Sequence, residues 1–277
     1  MYKEFRKINI SYFSGTGGTE KIATLFNSYM IEKNISVEIH SLNKNYIEKS
    51  IFFNDNIDLI LLLFPVYAFD APKIIYDWCK LLPPGSNLPI VIISVSGGGE
   101  VWINNACRIG IIKKLKKKGY RVMYETMVRM PSNFLKETPE QLSLEIIKEL
   151  PNKVKTITAE ILSGKERYRK PEFCGRIFTF LFKLEKITIW QFGKSLKINS
   201  KCNKCNLCIN NCPTNNIMWD KTKIKFKYNC EGCLKCVYNC PYKAIYSKLF
   251  SFIILKNGYS IRRIEEKINQ IIQPGCL

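Results

Sequence analysis

The chain has 277 residues, of which 46% are hydrophobic and 24% are charged, as in an ordinary globular protein. Its longest apolar run, at 57–64, is only as long as a strand, and the N-terminus has no apolar segment of the secretory type. We therefore expect no transmembrane segment and a cytoplasmic location. The length predicts more than one domain.

The net charge of +20 is concentrated in the second half of the chain. The first 150 residues carry 19 Lys and Arg against 15 Asp and Glu, whereas the remaining residues carry 24 against 8. This excess fits either solvated surface lysines or a docking face for an acidic protein or an anionic membrane surface. No nucleic-acid-binding motif accompanies the charge, so we expect no nucleic acid partner.

Strand and helix patterns alternate along the first part of the chain. Strands are predicted at 8–14, 35–40, 57–64, 89–95 and 120–128. Helices are predicted at 19–33, 71–82, 102–118 and 140–162, the last one broken near Pro151. Five strands interleaved with helices predict an α/β fold with a doubly wound parallel sheet. Such sheets bind ligands at the carboxyl ends of their strands.

A glycine-rich turn follows the first predicted strand and opens the first predicted helix. It consists of Ser14, Gly15, Thr16, Gly17, Gly18 and Thr19. Backbone N–H groups at a helix N-terminus, with hydroxyls beside them, predict a phosphate site. The turn is not a Walker loop, because no Gly-Lys-Ser/Thr follows. A simple turn is the alternative.

The turn FSGTGGT resembles the phosphate loop of the flavodoxin family, and the resemblance extends over residues 1–163. It implies a five-stranded sheet in the order 2-1-3-4-5 and an FMN cofactor. The flavin ring would then contact the loops after the third and fourth strands. These loops comprise Pro65, Val66, Tyr67, Ala68 and Phe69, and Ser94, Val95, Ser96, Gly97, Gly98 and Gly99. Gly18 departs from the family, which more often has a polar residue there.

Residues 164–196 form a basic and aromatic segment between two regions of different composition. The composition of this segment predicts either a helix that docks two domains together or a helix that lies on a membrane surface. We favour docking, with peripheral membrane contact as the alternative. Residues 248–277 are expected to be a C-terminal tail that packs around the cysteine-rich residues before it.

Eight of the twelve cysteines occur in two copies of C-x2-C-x2-C-x3-C-P, at 202–213 and 230–241. This spacing is typical of bacterial iron–sulfur proteins, in which the fourth cysteine of each run binds the other cluster. It predicts two [4Fe–4S] clusters with crossed ligands. One set is Cys202, Cys205, Cys208 and Cys240, and the other is Cys230, Cys233, Cys236 and Cys212.

Zinc and disulfides are the competing uses of these cysteines. Zinc sites usually show two separated pairs, and disulfides require an oxidising compartment to which nothing here directs the chain. Four further cysteines share no spacing and are expected to be bystanders. They are Cys79, Cys107, Cys174 and Cys276.

Residues 197–247, hereafter the cysteine region, resemble the bacterial two-cluster ferredoxins, with all eight cysteines and both prolines present. This resemblance implies an α+β ferredoxin-like domain that transfers single electrons. One departure is a basic surface, where many ferredoxins are acidic. Positive charge near a cluster should raise its reduction potential. The lysines are Lys201, Lys204, Lys221, Lys223, Lys225, Lys227, Lys235, Lys243 and Lys248.

The two parts in this order resemble a group of fused flavodoxin–ferredoxin proteins, which implies electron transfer between FMN and the clusters. Redox proteins, acidic ones included, are the expected partners. The sole histidine, His40, is expected at the surface, and no catalytic residue is predicted. The alternatives are a flavin-dependent reductase of a small acceptor and a ferredoxin with a flavin-free docking domain.

Overall fold

A computed structural model describes residues 5–45, 56–101, 104, 106–168 and 185–272 of the chain. Within the described residues, the first part contains the following strands and main helices. The strands are β1 (Lys7–Tyr12), β2 (Ser36–Ser41), β3 (Leu59–Pro65), β4 (Pro89–Ser96) and β5 (Arg121–Arg129). The helices are α1 (Gly18–Ile31), α2 (Lys73–Leu81), α3 (Ile109–Lys117) and α4 (Glu140–Leu162).

The five strands form one parallel sheet in the order β2-β1-β3-β4-β5. Strands β3 and β4 lie in its centre, and nearly every residue in both is buried. Such strands need apolar side chains on both faces, which explains their continuous Leu and Ile runs. β2 lies at one edge and is mostly exposed or half-buried. The predicted flavodoxin-like fold is confirmed, including its strand order.

The helices cover the two faces of the sheet. One apolar core joins α1 and α4 to the sheet, and a second core joins α2 and α3 to the other face. The predicted break at Pro151 is wrong, because α4 continues through this residue. Leu150 and Val154 are buried beside the proline, and the Pro151 carbonyl accepts a hydrogen bond from the Tyr29 hydroxyl. Packing therefore offsets the backbone hydrogen bond that the proline cannot donate.

The second part consists of short elements around the cysteines. The helices are α5 (Glu185–Ser195), α6 (Leu207–Asn210), α7 (Lys235–Tyr238) and α8 (Ile261–Ile272). The strands are β6 (Leu196–Ile198), β7 (Ile217–Asp220), β8 (Lys223–Phe226) and β9 (Ile245–Ser247). β6 pairs with β9 and β7 with β8, both antiparallel. Phe192, Ile217, Phe226 and Ile245 share one small apolar core, so α5 packs on the cysteine region.

The C-terminal helix α8 returns to the first part of the chain. Ile261 is buried in the core shared by α1 and α4, and Glu265 forms an ion pair with Lys21 of α1. The tail was expected to pack around the cysteine region, but only its beginning does so, where Ile253 is buried in the small core. The apolar face of α8 packs against the α/β sheet domain instead. None of the helices that the structure describes is both long and apolar enough to span a bilayer.

A buried ion pair lies behind the carboxyl end of β4. The Arg108 guanidinium donates to the Glu125 carboxylate at 3.0 Å and to Ser94 Oγ at 2.8 Å, and only 1% of Arg108 is exposed. Glu125→Leu would remove the carboxylate closest to this buried guanidinium and leave Glu100, at 3.9 Å, as a partial counter-charge. We expect the variant to lose about 3–5 kcal/mol of unfolding free energy, measured by urea titration.

The matched control is Glu166→Gln, which removes an exposed carboxylate that pairs with Arg121. Exposed pairs contribute at most about 1 kcal/mol. Equal losses in the two variants would contradict a specific role for the buried pair.

Candidate functional site

A cavity of about 440 Å³ opens at the carboxyl edge of the parallel sheet. Its walls come from the loops that follow β1, β3, β4 and β5. A volume of this size is usual for sites that bind small organic molecules. The position is the one at which doubly wound sheets bind their ligands.

The loop after β1 forms one end of this cavity. Ser14 Oγ accepts a hydrogen bond from the Gly17 N–H at 3.1 Å, and Gly17 has a φ of 94°, which favours glycine. Helix α1 begins at the next residue. The first N–H groups of a helix have no partner within it, so they can donate to a phosphate. Thr16 lines the cavity and its Oγ1 accepts from the Asn133 amide at 2.7 Å.

Most predicted flavin-loop residues line the cavity, but four do not. The lining residues are Ser14, Gly15, Thr16, Gly18, Thr19, Pro65, Val66, Tyr67, Phe69, Val95, Ser96, Gly97 and Gly98. Gly17, Ala68, Ser94 and Gly99 are not among them. Ser94 is fully buried and accepts the hydrogen bond from Arg108, so its hydroxyl serves the ion pair behind the loop.

Several lining residues were missed by the sequence reasoning. Met130, Pro131, Ser132, Asn133 and Phe134 follow β5 and line the cavity. A signal for them existed, because the carboxyl ends of all parallel strands meet at one edge. Asn104 and Val101 come from the β4–α3 connection, and Tyr259 comes from the segment before α8. Nothing in the sequence pointed to Tyr259, whose hydroxyl donates to the Pro131 carbonyl at 3.0 Å.

Tyr67 lies where the cavity meets the cysteine region. Its ring packs edge-on against Phe13, with centroids 6.2 Å apart. Burial raises the pKa of the Tyr67 hydroxyl well above its ordinary value, and Cys233 and Glu231 nearby raise it further. The hydroxyl is therefore neutral across the physiological pH range.

The structure brings together one predicted ligand set at the surface, hereafter the outer set: Cys202, Cys205, Cys208 and Cys240. These cysteines line a common small cavity, although Cys240 comes from the second sequence copy. Cys205 is exposed, and the other three are half-buried. The Ala244 N–H donates to Cys240 Sγ at 3.3 Å.

The remaining four cysteines form the inner set: Cys212, Cys230, Cys233 and Cys236. Burial, with smaller contributions from neighbouring thiols that include Cys212, raises the pKa of the Cys230 and Cys233 thiols to about 12. Burial likewise raises the pKa of Cys236, and its neighbouring thiols include Cys208 of the outer set. The two sets therefore adjoin. Because metal binding requires thiolates, loading the inner set must release protons.

Backbone N–H groups point at sulfur atoms of the inner set. The Gly232 N–H donates to Cys230 Sγ at 3.4 Å, and the Asn216 N–H donates to Cys212 Sγ at 3.2 Å. Such bonds stabilise negative charge on sulfur and tune reduction potentials.

The ten cysteines within the described residues are all free. In the same part of the chain, no three His, Cys, Asp or Glu side chains converge closely enough to hold one metal ion. A four-iron cluster is a larger group, because each thiolate binds a different iron. Cys79 and Cys107 are buried in the sheet domain, while Cys174 and Cys276 lie outside the described residues.

Two glycines allow the closest approaches around the inner set. A methyl group on Gly15 would collide with the Tyr67 hydroxyl and lie 2.9 Å from Cys233 Cβ. A methyl group on Gly193 of α5 would collide with Cys230 Cβ and lie 2.8 Å from its Sγ. The inner set is therefore packed between the phosphate loop and α5 without room for another carbon atom.

Residues 194–276 match the family model of the 4Fe-4S dicluster domain. The chain thus joins a flavodoxin-like domain to a 4Fe-4S dicluster domain. The flavodoxin-like assignment rests on the order of the strands in the parallel sheet. None of the curated proteins is similar enough to this chain to be matched.

Solved flavodoxins align with the first part of the chain. The flavodoxin of Megasphaera elsdenii is 19% identical, with a TM-score of 0.35, and the alignment covers 54% of this chain and 98% of that one. Flavodoxin 2 of Bacillus cereus is 16% identical, with a TM-score of 0.39, covering 56% and 99%.

Gly193→Ala should disturb the inner set, because the added methyl group collides with Cys230. We expect reconstituted protein to lose about four of the eight irons of a two-cluster domain, measured as iron per chain. Gln191→Ala is the control, because Gln191 is exposed on the same helix. A full iron content in the Gly193 variant would contradict this packing.

Proposed function

We propose that this protein is an electron-transfer iron–sulfur flavoprotein, in which FMN in the carboxyl-edge cavity exchanges electrons with two [4Fe–4S] clusters. The observation that carries the proposal is the contact between Gly15 and Cys233. It places an inner-set cysteine directly against the loop that would hold the flavin phosphate. A fused pair of redox sites requires such proximity, whereas two unrelated domains on one chain do not.

The cavity fits FMN in three respects. Its volume suits a small cofactor, and its α1 end offers N–H groups and hydroxyls for a phosphate. The Tyr67 and Phe69 side chains and the glycines at 97 and 98 line the part where a flat ring would lie. FMN would supply a carrier that exchanges one or two electrons, and the protein residues would bind and orient it.

The two cysteine sets fit [4Fe–4S] clusters, with four thiolates each and the crossed arrangement that this spacing is known to give. The clusters would supply one-electron carriers. The inner set adjoins the phosphate loop through Cys233, and the outer set reaches the surface at Cys205. We infer the order flavin, inner cluster, outer cluster, external partner.

The surface near the outer set favours an acidic redox partner. Lys201, Lys204 and Lys243 are exposed beside its cysteines. The cysteine region contains two carboxylates, of which Asp220 pairs with Lys225 at 3.1 Å and Glu231 accepts from the Lys73 N–H. Positive charge therefore remains uncompensated near Cys205, and it would steer an acidic partner to the exposed cluster.

Anaerobic reconstitution with iron, sulfide and excess FMN tests the proposal directly. We expect about eight irons and one FMN per chain, together with reduced-cluster signals by EPR spectroscopy. Iron incorporation without flavin would contradict the FMN part of the proposal. A failure to incorporate iron would contradict the whole of it.

Gly15→Ala tests the junction between the two redox sites. The added methyl group pushes Tyr67 and Cys233 away from the phosphate loop. We expect slower reduction of the clusters by photoreduced FMN, measured by stopped-flow absorption, in a variant that retains its iron.

Gly18→Ala is the matched control in the same loop. A methyl group on Gly18 would lie 3.6 Å from its nearest neighbours, which is ordinary contact. Equal rates in the two variants would show that the contact between Gly15 and Cys233 does not couple the redox sites.

A further inference from the structure

A second and larger cavity, of about 700 Å³, lies on the other side of Tyr67 from the flavin cavity. Its walls are α2, α3, α5 and the loop at 228–231 that begins the second cysteine run. Tyr67 lines both cavities, so the two share this residue as a wall. The second cavity is not the flavin site, because none of the glycine-rich turn at 14–19 lines it.

The second cavity reaches the inner set directly. Cys230 lines its wall together with its neighbours Asn229 and Glu231. A molecule in this cavity would lie next to a ligand of the inner cluster. Tyr67 would separate the same molecule from the flavin.

The carboxylates of this cavity are already engaged. Asp77 forms ion pairs with Lys73 and Lys80 of its own helix. Asp70 accepts from the Tyr76 hydroxyl at 2.7 Å, and Glu231 accepts from a backbone N–H at 3.0 Å.

Two cations on α3 are left to act on a ligand. Lys113 and Lys114 line the cavity and are exposed, and neither forms an ion pair with a carboxylate in the described part of the chain. The Lys114 ammonium lies 5.9 Å from the centre of the Tyr76 ring, and an aromatic ring supplies no formal counter-charge. The cavity therefore favours an anion.

Two large aromatic side chains on the opposite wall are largely exposed, and the Lys194 ammonium lies 4.3 Å from the centre of one of them, the Tyr228 ring. Trp190 of α5 is 47% exposed and Tyr228 is 66% exposed, and both line the cavity. Exposed indole and phenol rings in a cavity offer faces on which a flat ring can stack. Cations on one wall and aromatic faces on the other together select a planar aromatic anion.

We propose that this cavity binds a planar aromatic anion that accepts electrons from the inner cluster. The electron supply rests on the proposed function, whereas the binding rests on the cavity alone. Each transfer would oxidise a reduced cluster held by the inner set by one electron and would reduce the bound acceptor by one electron. No bond would be formed or broken, and under the proposed function the electron would be replaced from FMN.

Anthraquinone-2-sulfonate is a suitable probe, because it is flat, singly charged and redox-active. Binding to the oxidised holoprotein is measured by anaerobic equilibrium dialysis. We expect saturable binding that the double variant Lys113→Glu/Lys114→Glu weakens by roughly tenfold. The uncharged analogue 2-(hydroxymethyl)anthraquinone should bind more weakly and should not respond to that variant.

The matched control is Lys116→Glu/Lys117→Glu, which makes the same charge change on α3 outside the cavity wall. Trp190→Leu should also weaken binding, whereas Trp219→Leu, at an indole outside this cavity, should not. Equal weakening by both double variants, or no saturable binding at all, would overturn the proposal.

Iron and FMN contents are measured on every variant, so the two proposals fail separately. A protein that lacks FMN but binds the probe at this cavity would contradict the proposed function and support the proposed binding site. A protein that carries both cofactors but does not bind the probe contradicts the site alone. With both present, reoxidation of the reduced clusters by the probe should slow in the Lys113/Lys114 double variant and not in its control.

Discussion

The packing of Gly15 against Cys233 is the constraint on which the rest of the molecule depends. It leaves no space for a side chain on the phosphate loop, and it fixes how closely the cysteine region approaches the sheet. Cys233 is itself part of the apolar core between the sheet and α2. A ligand of the inner set thus belongs structurally to the first domain. The two domains share a core at the point where electrons would cross.

Other contacts hold this junction in place from several sides. The Tyr238 hydroxyl of α7 donates to the Asn133 carbonyl at 2.8 Å, in the loop that lines the cavity at the carboxyl edge of the sheet. The Lys44 N–H donates to the Pro213 carbonyl at 2.9 Å, next to the first cysteine run. Helix α8 adds the buried Ile261 behind the glycine-rich turn. Because these contacts come from separate segments, the distance between the redox sites does not depend on a single linker.

The sequence was sufficient where the pattern is local. Apolar runs predicted β3 and β4, and Gly119, with a φ of 85°, ends α3 as a terminating glycine does. The sequence was insufficient to predict contacts between segments that are distant in the chain. The position of Tyr259 in the flavin cavity and the return of α8 depend on tertiary packing, which no spacing records. The helix break predicted at Pro151 was wrong for a related reason, since burial outweighed a local helix-breaking signal.

The position of Tyr67 relates the two cavities to the cysteine region. A side chain between two cavities keeps a molecule in one from touching a molecule in the other. A flavin can exchange electrons in pairs, whereas a cluster passes them singly. If an acceptor could reach the flavin directly, it could take both electrons at once and bypass the clusters. With the neutral Tyr67 ring in between, the second cavity is in contact with Cys230 alone among the inner ligands. Under the proposed function, this partition would make the inner cluster the route by which electrons leave the flavin.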